Sequence, residues 1–126
     1  MSWQSYVDDQ LLATKVVTKA VIAGHDGSIW ATSEGFKVTT EDIKKILANF
    51  ENRDLLAQNG ITVAETRYIY LSSTDRVLRA RKGNSGVHVM KTEQAVIICQ
   101  YEEPVVPEQC AAVTEKLGEY LITVGY

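Results

Sequence analysis

The sequence lacks almost every signature of an enzyme. It holds two histidines, His25 in a turn-like stretch and His88 within a strand-like run, and neither is spaced to pair with a nucleophile. No P-loop, G-x-S-x-G elbow or dinucleotide fingerprint occurs, and Lys82-Gly83-Asn84-Ser85-Gly86 is turn-rich without the spacing that cradles phosphate. Two cysteines, Cys99 and Cys110, form no C-x-x-C pair, and no group of His, Cys or carboxylates has metal-ligand spacing. A non-enzymatic protein with no cofactor or metal and with reduced, structural thiols is therefore expected. No apolar run approaches the ~20 residues of a membrane span, and the first residues lack the basic start and apolar core of a secretion signal. A cytoplasmic location is the expectation. With two prolines and no internal repeat, low-complexity tract or linker, the 126 residues read as a single domain, 1–126.

Charge of one sign is also scarce overall, at a net −3, but the average hides a polarity. From Thr66 to Thr92 six basic residues (Arg67, Arg76, Arg79, Arg81, Lys82, Lys91) face Asp75 alone, a net +5. From Glu93 onward six glutamates face Lys116 alone, a net −5. Such a basic band implies an acidic partner surface, whether protein, phosphate or anionic lipid; the plain alternative is a charged sheet edge that discourages aggregation.

Periodicity supplies the elements. A helix from Ser2 to near Ala13 is expected, then a hairpin of Ala20–Ala23 and Ile29–Thr32 around His25-Asp26-Gly27-Ser28. Thr39 or Thr40 caps a second helix, with Glu41 and Asp42 in its first turn and Ile43, Ile46, Leu47 and Phe50 as its apolar stripe. A short helical or irregular piece surrounds Leu55-Leu56. Strands are expected at Ile61–Val63, Arg67–Leu71, Arg76–Arg81, Val87–Met90 and Gln94–Tyr101, broken at Glu65-Thr66, Ser72–Asp75, Lys82–Gly86 and Lys91–Glu93. Connections this short demand antiparallel pairing. Pro107 suits the first turn of a last helix. The fold class is α/β of the α+β type. It comprises a central antiparallel sheet of about seven strands, N- and C-terminal helices on one face, and a shorter helix or helices on the other.

What is plentiful is aromatic surface at the two ends. Trp3 and Tyr6 are three apart on one helical face, and Tyr120 and Tyr126 close the chain, with Val113, Leu117, Leu121 and Val124 at helical spacing. Two readings stay open from the residues alone. The rings are core, or they form a groove of flat rings with polar handles, which suits proline-rich segments already extended as polyproline II.

Ser2-Trp3-Gln4-x-Tyr6-x-Asp8, Trp30-Ala31-Thr32-Ser33, the Arg76-centred segment and Tyr120-Leu121-Ile122 with its terminal aromatic together resemble the profilin family over essentially the whole chain. That resemblance implies binding of monomeric actin, of proline-rich proteins such as formin-like elongation factors, and of anionic phosphoinositide lipids. It implies regulation of actin polymerisation at a cytoskeletal location, and no nucleic-acid partner. Trp3, Tyr6, Trp30, Tyr120 and Tyr126 match the family's proline-binding aromatics. Arg67, Arg76, Arg81 and Lys82 match basic positions that hold actin. Val77-Leu78-Arg79-Ala80 replaces the family's S-I-Y-G, with Arg79 as an added charge, and Ser72 stands where many relatives carry Arg. The resemblance also implies that the actin and polyproline surfaces lie at opposite sides of the molecule. Two other classes would leave different patterns. A PAS- or GAF-like small-molecule sensory domain would need a polar cavity-lining set in mid-chain. A single-stranded nucleic-acid binder would interleave its rings with its arginines, which here are separated.

Overall fold

The protein, seen in a computed structural model that describes residues 2–50 and 52–126, is built on one seven-stranded sheet. The strands are β1 (Lys19–Gly24), β2 (Ile29–Thr32), β3 (Ile61–Val63), β4 (Thr66–Ser73), β5 (Val77–Lys82), β6 (Ser85–Lys91) and β7 (Ala95–Tyr101). Their order is β2-β1-β7-β6-β5-β4-β3, with every neighbour antiparallel. The expected strands are all present, with ends displaced by a residue or two. Arg76 and Gln94 fall just outside theirs.

The N-terminal helix departs from the expected regular form. Ser2 Oγ accepts the Ser5 amide at 3.1 Å, capping α1 (Trp3–Ser5). The chain then widens into a π-helix, Tyr6–Leu11, and closes in a 3-10 turn, Leu12–Thr14. The Leu12 amide reaches the carbonyls of both Val7 and Asp8. This widening keeps Val7 and Leu11 fully buried against the sheet while Trp3 and Tyr6 stay half-exposed.

The expected second helix is α2 (Thr40–Asn49), closed by a capping box between Thr39 and Asp42. Asp42 does a second job, because its Oδ2 also accepts the Ala64 amide at 3.1 Å. That bond steadies the β3–β4 turn, where Ala64 and Glu65 both adopt positive φ, at 51° and 69°. The short piece around Leu55-Leu56 is α3 (Arg53–Asn59), and α4 (Pro107–Thr123) begins on Pro107 as anticipated.

Two cores sandwich the sheet. On one face Ile43 and Ile46 of α2, Phe50 capping its C-terminal end and Leu56 of α3 meet Val21, Leu78, Val89 and Ile98. On the other, Val7 and Leu11 with Leu117 and Leu121 of α4 meet Ile22, Ile97 and Cys99. Each such buried aliphatic side chain contributes about 1.5–3 kcal/mol through the water it escapes. Gly118 allows α4 to sit tight on β6, since a Cβ there would lie 2.2 Å from Met90 Sδ. Strands β4 and β5, at the far end of this face, receive no comparable helical cover, and Ile69 and Leu71 stand 71% and 53% exposed there.

Candidate binding surfaces

The five terminal-cluster rings, from three separate stretches of chain, converge. Trp3 is the hub, with its ring centroid 4.7 Å from Trp30, 5.0 Å from Tyr126 and 5.5 Å from Tyr6. Tyr126 lies 6.2 Å from Trp30, and Tyr120 lies 6.3 Å from Tyr6. The geometry is tilted or edge-to-face, as ring quadrupoles favour. Trp3, Tyr6 and Trp30 are half-buried against the helix-covered core, while Tyr120 and Tyr126 are exposed. Neither of the two readings is complete: the inner edges are core and the outer edges are surface.

Local devices aim each ring. In β2 strict alternation would turn Trp30 away from Ala31, which packs under the terminal helices. A bulge intervenes: Ile22 pairs with Ala31 and Ala23 with Ile29, leaving Trp30 without a partner and free to join the same face. Gly24 clears its path, because a Cβ there would lie 3.0 Å from the indole. Tyr126 is held by its backbone. Its amide donates to the Leu121 carbonyl at 2.8 Å, and its own carbonyl accepts from Thr92 Oγ1 at 2.7 Å and from the Gln94 amide. Partial burial, and then the neighbouring Tyr120 hydroxyl, push the Tyr6 phenol up from its ordinary pKa.

Past Tyr6 and Tyr120 the surface continues as a cleft of about 510 Å3 between the N-terminal helix and α4, floored by Val113 and Leu117. From the sequence these two residues are legible only as apolar positions at helical spacing. Their role as groove floor depends on how far apart the two helices sit, which no single-helix pattern encodes.

The basic residues do not form one patch. Arg79 and Arg81 share the sheet face that carries α4, and cross-strand pairing sets Ile69 beside Arg81 and Ser72 beside Arg79. A second bulge, between Tyr70 and Ser72, displaces Leu71 outward. The result is a strip of exposed Ile69, Leu71 and Arg81 beside a half-buried Arg79, whose guanidinium lies 3.9 Å from the Glu115 carboxylate; the two aliphatics were missed because alternation in β4 was read without a face assignment. Lys82 takes the opposite face, in line with buried Leu78 and Ala80. Arg67 caps the end of α3, donating to the carbonyls of Asn59 at 2.8 Å and Gln58 at 3.3 Å. Arg76 lies at the other end of β5, paired with Glu93 and donating to the Lys91 carbonyl. The ring cluster and the strip of Arg79 and Arg81 lie toward opposite sides of one face of the sheet, with α4 over β6 and β7 between them.

Beneath the strip, His88 is 2% exposed, with Nε2 3.0 Å from Glu115 Oε2. The alignment is too poor for a hydrogen bond, so the contact is electrostatic only. Burial, and then the Arg79 guanidinium, hold the imidazole pKa down at about 4, against 6.5 for a free ring. The nearby carboxylate, itself partly exposed, does not reverse this. The ring is therefore neutral at pH 7. The unfolded chain takes up the proton first as pH falls, so this contribution to stability is complete above pH 6.5 and is lost between 6.5 and about 4. At pH 5 the loss amounts to roughly 2 kcal/mol. Urea unfolding at pH 7 and pH 5 should show it in the native chain and show a smaller drop in His88→Gln. Equal drops in both would relieve His88 of that role.

Among the described residues no group of His, Cys, Asp and Glu is arranged to hold a metal ion, and no helix is long and apolar enough to cross a membrane. The family model for profilin matches residues 1–126. The profilin of Drosophila melanogaster is 64% identical over 126 residues, covering all of both chains. Among solved structures, Acanthamoeba castellanii profilin II matches with a TM-score of 0.95 at 42% identity, covering 99% of this chain and 100% of that one. Mouse profilin IIa, solved in complex with a double repeat from the FH1 domain of mDia1, shares the fold with a TM-score of 0.85 at 20% identity, covering all of both chains.

Proposed function

The chain belongs to the profilin family, and from that premise we propose that it is a non-enzymatic actin-monomer-binding protein that also docks proline-rich segments, so regulating actin polymerisation at the cytoskeleton. The observation that carries the reading is the continuity of the ring cluster, five aromatic side chains linked at 4.7–6.3 Å and opening into an apolar cleft. A polyproline II ligand loses little conformational entropy on binding and packs its rings between such faces, while indole N–H and phenol O–H groups donate to its carbonyls. The mouse relative's complex with an FH1 repeat supports a formin-like proline-rich partner here.

Actin is assigned to the strip on β4 and β5. An exposed aliphatic pair beside two guanidinium groups offers an apolar centre with a charged rim, suited to an acidic protein surface. Arg79 and Arg81 belong to this contact directly. Arg67, Arg76 and Lys82 contribute at most to its long-range field, since each points elsewhere. Anionic phosphoinositide lipids are the third partner class, attracted by the same two guanidiniums.

The test is a titration with polyproline followed by tryptophan fluorescence, because both tryptophans belong to the cluster. A saturable change is expected; none at millimolar proline would overturn the assignment of the groove. A small-molecule sensory reading finds no comparable support.

A further inference from the structure

The turn between β6 and β7 supplies no ring to the aromatic cluster, but it holds a buried hydroxyl. Thr92 is 1% exposed, a polar side chain in a place that valine would fill equally well. Its Oγ1 accepts the Ala95 amide at 2.9 Å and donates to the Tyr126 carbonyl at 2.7 Å, with the Ala95 carbonyl a longer second acceptor at 3.2 Å. Gln94 adds two bonds from the same turn. Its amide donates to the Tyr126 carbonyl, and its Nε2 donates to the Gly125 carbonyl at 2.8 Å. On its other side the turn meets the β1–β2 hairpin. The Ala95 carbonyl accepts the Thr92 amide at 2.8 Å and lies 3.0 Å from His25 Nε2, which donates there because a carbonyl can only accept.

The turn therefore joins two arms of chain. The hairpin carries Trp30, and the segment beyond α4 carries Tyr126. Their rings stand 6.2 Å apart, and both pack on Trp3. Neither arm fixes that spacing alone. Trp30 sits in a bulge without a cross-strand partner, and Tyr126 follows Gly125, at φ 95°, past the end of α4. A binding constellation keeps its affinity only while supporting hydrogen bonds hold it to about 0.5 Å. We propose that the β6–β7 turn is a clasp for the ring cluster, in which Thr92 is a positioning residue that sets Tyr126 against Trp30, with Gln94 and His25 as its outer members. Its hydroxyl is buried, so it acts through Tyr126 rather than on a ligand. The inference rests on the reading of the cluster as the proline-rich site and adds residues outside the rings that govern its affinity.

The experiment titrates decaproline into the whole chain and follows tryptophan fluorescence, with thermal unfolding as the check on the fold. Thr92→Val keeps the shape and removes the hydroxyl, leaving the Ala95 amide without its acceptor and the Tyr126 carbonyl with one donor. Affinity is expected to fall about tenfold. Thr92→Ser, which keeps the hydroxyl, should restore it to within about twofold of the native value. Gln94→Ala and His25→Ala, both at exposed positions, should each weaken binding about threefold. A double-mutant cycle separates positioning from general support of the fold. In the Tyr126→Ala background, where the positioned ring is gone, Thr92→Val should cost less than about twofold. Unchanged affinity in a folded Thr92→Val chain overturns the clasp while leaving the groove in place. A loss as large in the Tyr126→Ala background as in the native one also overturns it, because Thr92 would then support the fold alone. If Thr92→Val does not fold, unchanged affinity in both Gln94→Ala and His25→Ala overturns the proposal. Failure of the native chain to bind decaproline removes the site, and the clasp with it.

Discussion

Trp3→Ala is expected to weaken polyproline binding by about 2 kcal/mol or more, close to thirtyfold, with the fold retained. The size follows from position. Trp3 touches three of the other four rings, so its removal takes away a stacking face and also the wall against which Trp30 and Tyr126 are set. Tyr120, bound to the cluster through Tyr6 alone and 49% exposed, should cost less when truncated. The folding background is favourable, since Trp3 is half-buried and the core beneath it rests on Val7, Leu11 and Leu121. Fluorescence of the remaining Trp30 reports the titration, and thermal unfolding checks the fold. Unchanged affinity in a folded variant would remove Trp3 from the site and leave the rings as core.

How far the sequence disclosed this arrangement depends on which interactions set each feature. Strand number, antiparallel pairing and the two-faced helical cover were legible because alternation and short connections are local. The convergence of the five rings was legible from their helical spacing at both ends and from the family resemblance. The aim of Trp30 was not, because it rests on a bulge that pairs Ile22 with Ala31 and Ala23 with Ile29, a register decision made across strands. The turn at Ala64-Glu65 was misplaced by one residue for a related reason. Neither residue favours positive φ, and the turn is steadied from a distance by Asp42. The basic band is dispersed in space, and only the shared side of Arg79 and Arg81 followed from strand alternation. Six basic residues close in sequence are divided by strand alternation, by a helix end that takes Arg67, and by the Arg76–Glu93 pair. Composition counts charge, but alternation and nearby carbonyls decide where it points.

The second large effect follows from that division. The double variant Ile69→Asp/Arg81→Glu is expected to weaken actin binding by about 3 kcal/mol, more than a hundredfold, and to leave polyproline affinity unchanged. The two residues are cross-strand partners, so the substitutions replace an adjacent apolar and cationic pair with two negative charges at one spot. Both side chains are exposed, which spares the core. The polyproline rings gather at β2, four strand spacings from β5, or roughly 19 Å at about 4.8 Å per strand. At physiological ionic strength a charge change at that distance is largely screened. Lys82→Glu is the internal contrast: it changes charge by the same amount one residue away but on the opposite face, and should alter actin affinity by less than threefold. Pull-down or fluorescence titration against monomeric actin, with polyproline titrated in parallel, reads all three quantities. Equal losses from Arg81→Glu and Lys82→Glu would mean that net charge, and not the β4–β5 strip, carries the contact. Loss of polyproline affinity in the folded double variant would mean that the two surfaces are coupled.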